Sequence, residues 1–433
     1  SLYSMNKKVE RLEFHEITKK AFLQALKNRR EINLKMVEAQ LVRRIDDRWI
    51  GFELSQKLWQ RFQNHRLSAG RVQTPVLGWI IERVSESRKK KMVLSATLSN
   101  GLEVSIENPV IKFSRENFKK YIKGLKAKIT DLKIEEKSLN PLPPYTTDTL
   151  LRDASAKLGF SALKTMRLAQ DLFESGLCTY HRTDSTTVST VGINIAKEYI
   201  QNKYPSLFSP RRYLMEGAHE CIRPTRALDV EQLKNLISLG ILRFPKRLSD
   251  EHFQLYDMIF KRFIASQMRE VKLLYQCFKV VIDGNQKITE NPISIISEGF
   301  NLIMSIRIAN PVKEGEYSLK FARVLYLPKA RPFTEGEIIA LMKERGIGRP
   351  STYAKIVATI LERRYAIERN NKIVNTILGF KVYKYLSLKF GKYASEETTR
   401  KLEEMMDQIE QGKVNYKEIL KGLYQEIMKI KRM

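Results

Sequence analysis

Cys178-Thr179-Tyr180-His181-Arg182-Thr183-Asp184-Ser185 is the stretch on which the rest of the chain turns. It follows an amphipathic run, Leu163 to Leu177, that breaks at Gly176, and it precedes a second helix-like run from Thr186. A tyrosine hydroxyl here has a cation two residues on and a polar Thr-Asp-Ser cluster after it. With a pKa of about 10, a phenol is a poor nucleophile at neutral pH. A nearby guanidinium favours the phenolate and also grips a phosphate. One short loop thus carries the makings of an attacking oxygen and an anion clamp. The same residue types also suit a buried tyrosine in a helix-capping turn, with Asp184 or Ser185 as the cap.

The chain has 433 residues, room for two to four domains, and 43% of them are hydrophobic, enough for real cores. A net charge of +29 is tolerable once a polyanion neutralises the self-repulsion. Nucleic acid is the first candidate for that polyanion and an anionic membrane surface the second. No segment approaches the roughly 20 apolar residues of a membrane helix. The start shows no signal peptide, so no membrane partner is expected. Cys178, Cys221 and Cys277 lie far apart with no C-x-x-C. That spacing argues against a zinc ribbon and a disulfide framework within these residues, and it suits a reducing compartment. Charged residues make up 29% of the chain, against about 25% on average, a balance that hints at a thermophile.

Outward from the tyrosine, residues 1–92 read as mostly helical. Met36, Val37, Leu41, Ile45, Trp49, Phe52, Leu58 and Trp59 recur at helical spacing and read as a core face. Arg43, Arg44, Asp46, Asp47 and Arg48 interrupt it, and their paired signs read as a salt-bridged, solvated face. The chain breaks around Gly70, and Pro75 suits the first turn of the next helix. Arg71 then lies just before a helix N-terminus, where backbone N–H groups welcome phosphate; alternatively Ser68 caps and Arg71 is solvated. Arg88 to Lys91 reads as a solvated helix end or a DNA-facing edge. From Met92 the residues alternate, and Asn100-Gly101 marks a hairpin. A further strand spans Lys128 to Glu135, and Pro141, Pro143 and Pro144 form a stiff linker.

Residues 145–265 read as helical again and contain Tyr180, His219 and Arg223. Leu274 to Asp283 and Phe300 to Ile308 read as strands, so a sheet split in sequence holds a helical unit on two linkers. That arrangement suits a hinge. In the last hundred residues Thr334 caps a run through Arg345, and Ser351 caps another through Arg363. Tyr365–Ile367 and Ile373–Asn375 flank a turn at Arg369-Asn370-Asn371, which together resemble a winged helix. Ser395–Gln411 and Tyr416–Met428 read as packing helices.

Tyr180-His181-Arg182-Thr183-Asp184-Ser185 resembles the active-site tyrosine motif of the type IA DNA topoisomerases. Four other stretches are similar to the same family, in the same order. They are Glu13-Phe14-His15-Glu16-Ile17-Thr18, Ser68-Ala69-Gly70-Arg71-Val72-Gln73-Thr74, Gly217-Ala218-His219-Glu220-Cys221-Ile222-Arg223-Pro224-Thr225 and Gly348-Arg349-Pro350-Ser351-Thr352-Tyr353-Ala354. The histidine after Tyr180, and the ending without a zinc ribbon, are most similar to the topoisomerase half of the reverse gyrases. The resemblance implies a multidomain α+β fold: mainly helical domains, one of them winged-helix (CAP-like), joined by a split antiparallel β arch. The expected division is a DNA-binding unit at 1–92 and 331–433, an arch at 93–140 and 267–330, and a tyrosine-bearing unit at 141–266.

The same resemblance implies strand cleavage and resealing through a transient 5′-phosphotyrosyl bond. Tyr180 attacks in line, Arg182 clamps the phosphoryl oxygens, and His219 supports the phosphate or the departing hydroxyl. Arg71 and Gln73 fall where the family contacts single-stranded DNA, and Thr183, Asp184, Ser185 and Arg223 join the DNA-binding set. Arg349, Ser351, Thr352 and Tyr353 offer a cation, two hydroxyls and a stacking ring to a strand backbone. His219 and Arg223 stand four apart, so a helix would turn both to one side.

The family also holds Mg²⁺ on an acidic D-x-D-type cluster with an N-terminal Glu and Lys. No D-x-D-x-E is present, so no metal ligands are expected here, and the chain reads as starting just after that Toprim domain. Without G-x-x-x-x-G-K-[ST], ATP enters only through a helicase-like module outside these residues. The expected partners are single-stranded and underwound DNA together with the Toprim and helicase-like parts of the same polypeptide. The expected location is cytoplasmic, on DNA. Other readings stay open: a plain relaxing enzyme; a tyrosine recombinase or nickase, although its H-x-x-R is one residue shorter than the His219–Arg223 spacing; and a non-catalytic single-strand clamp.

Overall fold

A computed structural model of the chain describes residues 9–107, 124–215, 219–282, 284–393 and 395–432. Its sheet is built from two separated stretches. Strands β1 (Lys90–Leu98), β2 (Glu103–Glu107) and β3 (Lys126–Leu139) come first, and β4 (Val271–Ile282), β5 (Asn285–Ser297) and β6 (Gly315–Pro328) come after the helical insert. The order across the sheet is β2-β1-β6-β3-β4-β5, and the pairs are antiparallel. The Asn100-Gly101 hairpin forms as its sequence predicts, with Thr97 opposite Glu103 and Gly101 at φ +85°. Alternate residues Leu94, Ala96, Ala127, Ile129, Phe278, Val280 and Ile282 fill the sheet's core. The strand expected at Phe300–Ile308 is instead a short 3₁₀ turn, Phe300–Leu302, followed by irregular chain. Gly299 leads into that turn so close to the Arg269 and Glu270 carbonyls that a Cβ would collide with them. Strand β5 carries Pro292 and is exposed along much of its length, so no apolar alternation announces it.

Three helices precede the sheet: α1 (Lys19–Lys27), α2 (Leu34–Phe62) and α3 (Gln73–Arg88). The buried face of α2 is Ala39, Val42, Asp46, Ile50, Leu54 and Leu58. The stripe expected as core is offset from it, and Val37, Leu41, Trp49 and Phe52 stand exposed. Arg44, Asp47 and Arg48 are solvated as expected, but Asp46 is buried and salt-bridged to Arg71. Helix α3 starts at Gln73 without a side-chain cap, not behind a Ser68 cap.

The insert contains α4 (Thr147–Leu158), α5 (Ala162–Glu174), α6 (Thr190–Lys203), α7 (Val230–Ser238) and α8 (Asp250–Ser266). Leu150, Ala154, Leu168, Leu172, Ile259, Phe260 and Phe263 make its core. The linker is fastened to it, because Arg262 Nε donates to the Pro143 carbonyl at 2.7 Å. Helix α6 begins at Thr190 rather than Thr186, since 186–188 are held extended: Val188 N–H donates to the Arg212 carbonyl and Cys221 N–H to the Thr187 carbonyl.

The remaining elements are α9 (Glu335–Glu344), α10 (Tyr353–Glu362), β7 (Ala366–Arg369), β8 (Lys372–Asn375), α11 (Ile377–Phe390), α12 (Glu396–Glu410) and α13 (Tyr416–Arg432). Asn370 and Asn371 turn the β7–β8 hairpin at φ +49° and +58°, a left-handed pair that asparagine tolerates. Helix α10 has Thr352, not Ser351, at its cap position. Val76, Leu77 and Ile80 of α3 share one core with Ile338, Met342, Val357 and Ile360, so the two ends of the chain close on each other. The insert docks on this body through α4 and α9. Gly336 leaves no room for a Cβ beside the Arg152 backbone, Lys343 pairs with Asp148 at 2.7 Å, and Glu335 accepts from the Ala162 N–H at 2.5 Å. The observed fold is the multidomain α+β arrangement with a split antiparallel sheet.

Candidate active site

Tyr180 sits in the loop between α5 and α6, and its neighbours fix that loop at successive residues. Gly176 turns the chain at φ +66°, where a side chain would strike the Ile17 carbonyl. Thr179 N–H donates to the Arg223 carbonyl at 2.9 Å, and its hydroxyl donates to the Cys221 carbonyl at 2.7 Å. Tyr180 N–H donates to the His15 carbonyl at 2.7 Å. Thr147, buried at the start of α4, reaches the His181 and Thr183 carbonyls with its hydroxyl and accepts from Thr183 N–H. The phenol ring is half-buried and lies edge-on to Phe173 and His181, with centroids 5.1 and 5.4 Å away. The capping-turn alternative does not hold, because the ring is only half-buried and Ser189, not Asp184 or Ser185, caps the helix that follows.

Arg182 is exposed and makes no hydrogen bond or ion pair with the described residues. Asp184 is also exposed, whereas Thr183 and Ser185 are buried and spend their side chains on the loop: Thr183 Oγ1 accepts from Ser185 N–H, and Ser185 Oγ from Thr187 N–H. His219 is exposed, and its ring meets that of His15 edge-on at 6.2 Å. His15 thus touches Tyr180 through its backbone and His219 through its ring.

The segment carrying His219 and Arg223 is extended, not helical, so the two do not share a helix face. It bridges Tyr145 at Ile222 and Cys178 at Pro224, which ties it alongside the tyrosine loop. Arg223 is only 1% exposed. Its guanidinium is taken up by Glu220 at 2.5 Å and Glu16 at 3.1 Å, with a further bond to the Pro224 carbonyl. Gly217 and Ala218 of that motif lie outside the described residues.

A second cluster gathers the other two motifs. Arg71 and Gln73 border one cleft with Thr352, Lys355, Thr359 and Arg43. Arg71 is buried, and its Nε lies 2.7 Å from Asp47 and 3.5 Å from Asp46. Burial pushes the Asp46 carboxyl up to about 6. Arg349 pairs with Glu403 at 3.1 Å and Asp407 at 3.5 Å. Thr352 closes its own turn by accepting from Arg349 N–H, and Ser351 is exposed. Tyr353 is buried, and its hydroxyl is raised above the usual phenol range by that burial and by the charges of Asp148 and Asp184. Asp184 belongs to the tyrosine loop and Arg349 to this cluster, so Tyr353 lies where the two meet.

Motif reading did not single out Thr147, Arg43, Asp46 or Glu403. Thr147, Asp46 and Glu403 each touch a motif residue, Arg43 reaches the cluster through Glu403, and only Thr147 carried a local signal, as the start of a helix after the proline linker. Among the described residues no group of three or more His, Cys, Asp or Glu side chains could hold a metal ion. No helix among them is long and apolar enough to cross a membrane.

The profile of the DNA topoisomerase family matches residues 31–421. The reverse gyrase of Pyrococcus furiosus is 50% identical over 428 residues, covering 97% of this chain and 34% of that protein. Reverse gyrase 1 of Aquifex aeolicus is 47% identical over 425 residues, covering 97% and 37%. The structure of full-length topoisomerase I from Thermotoga maritima superposes with a TM-score of 0.79 at 32% identity, over 97% of this chain and 72% of that one. The chain spans about a third of the length of the reverse gyrases it matches.

Proposed function

Because the chain belongs to the type IA DNA topoisomerase family, we propose that Tyr180 breaks and reseals a DNA strand as the module of a reverse gyrase. The phenol oxygen attacks a backbone phosphorus in line. A bond forms from Tyr180 Oη to the 5′-phosphate and the bond to the 3′ oxygen breaks; that oxygen takes up a proton as the phenol loses one. Resealing runs the same exchange backwards, so the phosphotyrosyl ester conserves the broken bond. Arg182, unpaired on the same loop, neutralises the phosphoryl oxygens, and His219 stands at the loop's edge to serve the departing hydroxyl. Arg71, Gln73, Arg349, Ser351 and Thr352 hold the strand, and Tyr353, buried in the core, backs them rather than stacking on a base. Arg223, with Thr183 and Ser185, shapes the loop from behind, and Asp184 borders it.

The carrying observation is a half-exposed tyrosine on a backbone pinned by Thr147, His15 and Arg223, two residues before an exposed guanidinium that has no partner among the described residues. On this reading 141–266 swings on the arch formed by 93–140 and 267–330, away from a DNA-binding body formed by 1–92 and 331–433. The residues described do not fit Mg²⁺. The ion, and the ATP that drives positive supercoiling, act through Toprim and helicase-like portions outside these residues, in a cytoplasmic, DNA-associated protein.

The test uses the complete polypeptide. Tyr180→Phe is expected to lose the covalent adduct with DNA while retaining single-strand binding. Arg182→Ala is expected to slow cleavage far more than it weakens binding. Normal adduct formation by Tyr180→Phe defeats the proposal.

A further inference from the structure

One carboxylate lies beneath three of the arginines on the second cluster. Glu403 sits in the middle of α12, in no motif, and is 2% exposed. Its Oε1 accepts from Arg43 at 2.8 Å and lies 3.5 Å from Arg71. Its Oε2 lies 3.1 Å from Arg349. The three guanidiniums come from α2, from the entry to α3 and from the loop before α10, so they meet only in the folded chain. Unscreened, three such cations repel one another and splay apart. A buried anion at their centre lets them converge, and it leaves Arg43 partly open to the cleft and Arg349 partly open to solvent.

We propose that Glu403 is a positioning residue for single-strand binding, its carboxylate holding Arg43 and Arg349 together at the surface, with buried Arg71 behind them, as phosphate contacts. The inference rests on the proposed reading of Arg71 and Arg349 as strand-binding groups. A competing role, in which Glu403 merely occupies the place of a phosphate and leaves when DNA arrives, is disfavoured by how firmly α12 is held. Thr399, one helical turn before Glu403, donates to the Arg71 carbonyl at 3.0 Å, and Trp79 Nε1 donates to Glu396 at 3.3 Å. The carboxylates free to leave are the exposed ones, Asp47 and Asp407. A phosphate therefore displaces Asp47 and Asp407, while Glu403 stays beneath the arginines.

The experiment measures binding of a labelled oligothymidylate to the 433-residue chain over a series of salt concentrations. Glu403→Gln keeps the shape and removes the charge. It is expected to weaken binding about tenfold near 0.1 M salt and to flatten the log–log salt dependence by about one phosphate contact. Asp407→Asn is expected not to weaken binding. The double variant Glu403→Gln/Arg349→Ala is expected to lose less than the product of the two single effects. Unchanged or tighter binding by Glu403→Gln overturns the proposal. So does weaker binding with an unaltered salt slope and a lowered melting temperature, which marks a merely structural residue, and so does a fully multiplicative double variant. If Arg349→Ala and Arg71→Ala both bind normally, the strand-binding reading itself fails, a result distinct from failure of Glu403 alone. Should Glu403→Gln not fold, Glu403→Asp, which withdraws the charge by one methylene, is held to the same expectations.

Discussion

At the scale of single residues, the loop around Tyr180 is held by groups from other parts of the chain. Thr147 is the clearest of them, because one hydroxyl both reaches two loop carbonyls and accepts from Thr183 N–H at 2.9 Å. Thr147→Val keeps the volume and leaves that buried N–H without a partner. The expected loss is about 1–3 kcal/mol of stability by urea unfolding. In the complete polypeptide, strand cleavage should fall more than strand binding; an unchanged cleavage rate means the loop does not depend on this hydroxyl. His181 sets a pH dependence. It is 1% exposed, its ring nitrogens have no hydrogen-bond partner among the described residues, and burial, with Arg182 beside it, pulls it down to about 4. Between about 6.5 and about 4 the unfolded chain binds a proton at this residue that the folded chain does not, so its contribution weakens stability as the pH falls through that window. His181→Leu is expected to gain on the parent by up to roughly 3 kcal/mol on acidification across it, and not above pH ~7. A stability gap independent of pH would mean that the folded chain accommodates the charged ring.

At the scale of elements, the contact between α4–α5 and α9 holds the tyrosine-bearing insert against the body. Glu335 reaches from the first turn of α9 to the first backbone N–H of α5, so a carboxylate from one unit caps a helix of the other. The helix dipole and the hydrogen bond act together there. Lys343–Asp148 adds an ion pair along the same seam, and Gly336 allows the two helices to approach. Glu335→Ala is expected to cost about 1 kcal/mol and to speed hydrogen exchange in the first turn of α5 severalfold while leaving α8 unchanged. Equal exchange in both chains would show that Ser161, which caps the same turn at 3.3 Å, suffices alone. If the insert must swing away for a strand to pass, this seam is what has to open.

At the scale of the whole molecule, a net charge of +29 predicts that any DNA binding is steeply salt-dependent. The 433-residue chain alone is expected to bind single-stranded DNA and to relax supercoiled plasmid poorly or not at all with Mg²⁺; efficient relaxation would show that the metal chemistry is complete within it. Much of this was legible in the residues. The order of the motifs pointed to the family, Asn100-Gly101 and Asn370-Asn371 announced their hairpins, and helix, strand, helix, strand, helix in succession showed the split sheet. Other features were hidden for physical reasons. Strand β5 is wet along much of its length, so its side chains carry little period. The segment from His219 to Arg223 is extended because it bridges the tyrosine loop and Tyr145, partners dozens of residues away. Asp46 looked like one charge among many on a solvated face, yet it is buried beside Arg71. By itself the sequence determined the family and the order in which its elements come, because motif and turn residues are read from their own local order. Only the tertiary structure decided which charges are buried and which arginines share a carboxylate, because Arg43, Arg71, Arg349 and Glu403 become neighbours only when both ends of the chain close into one core.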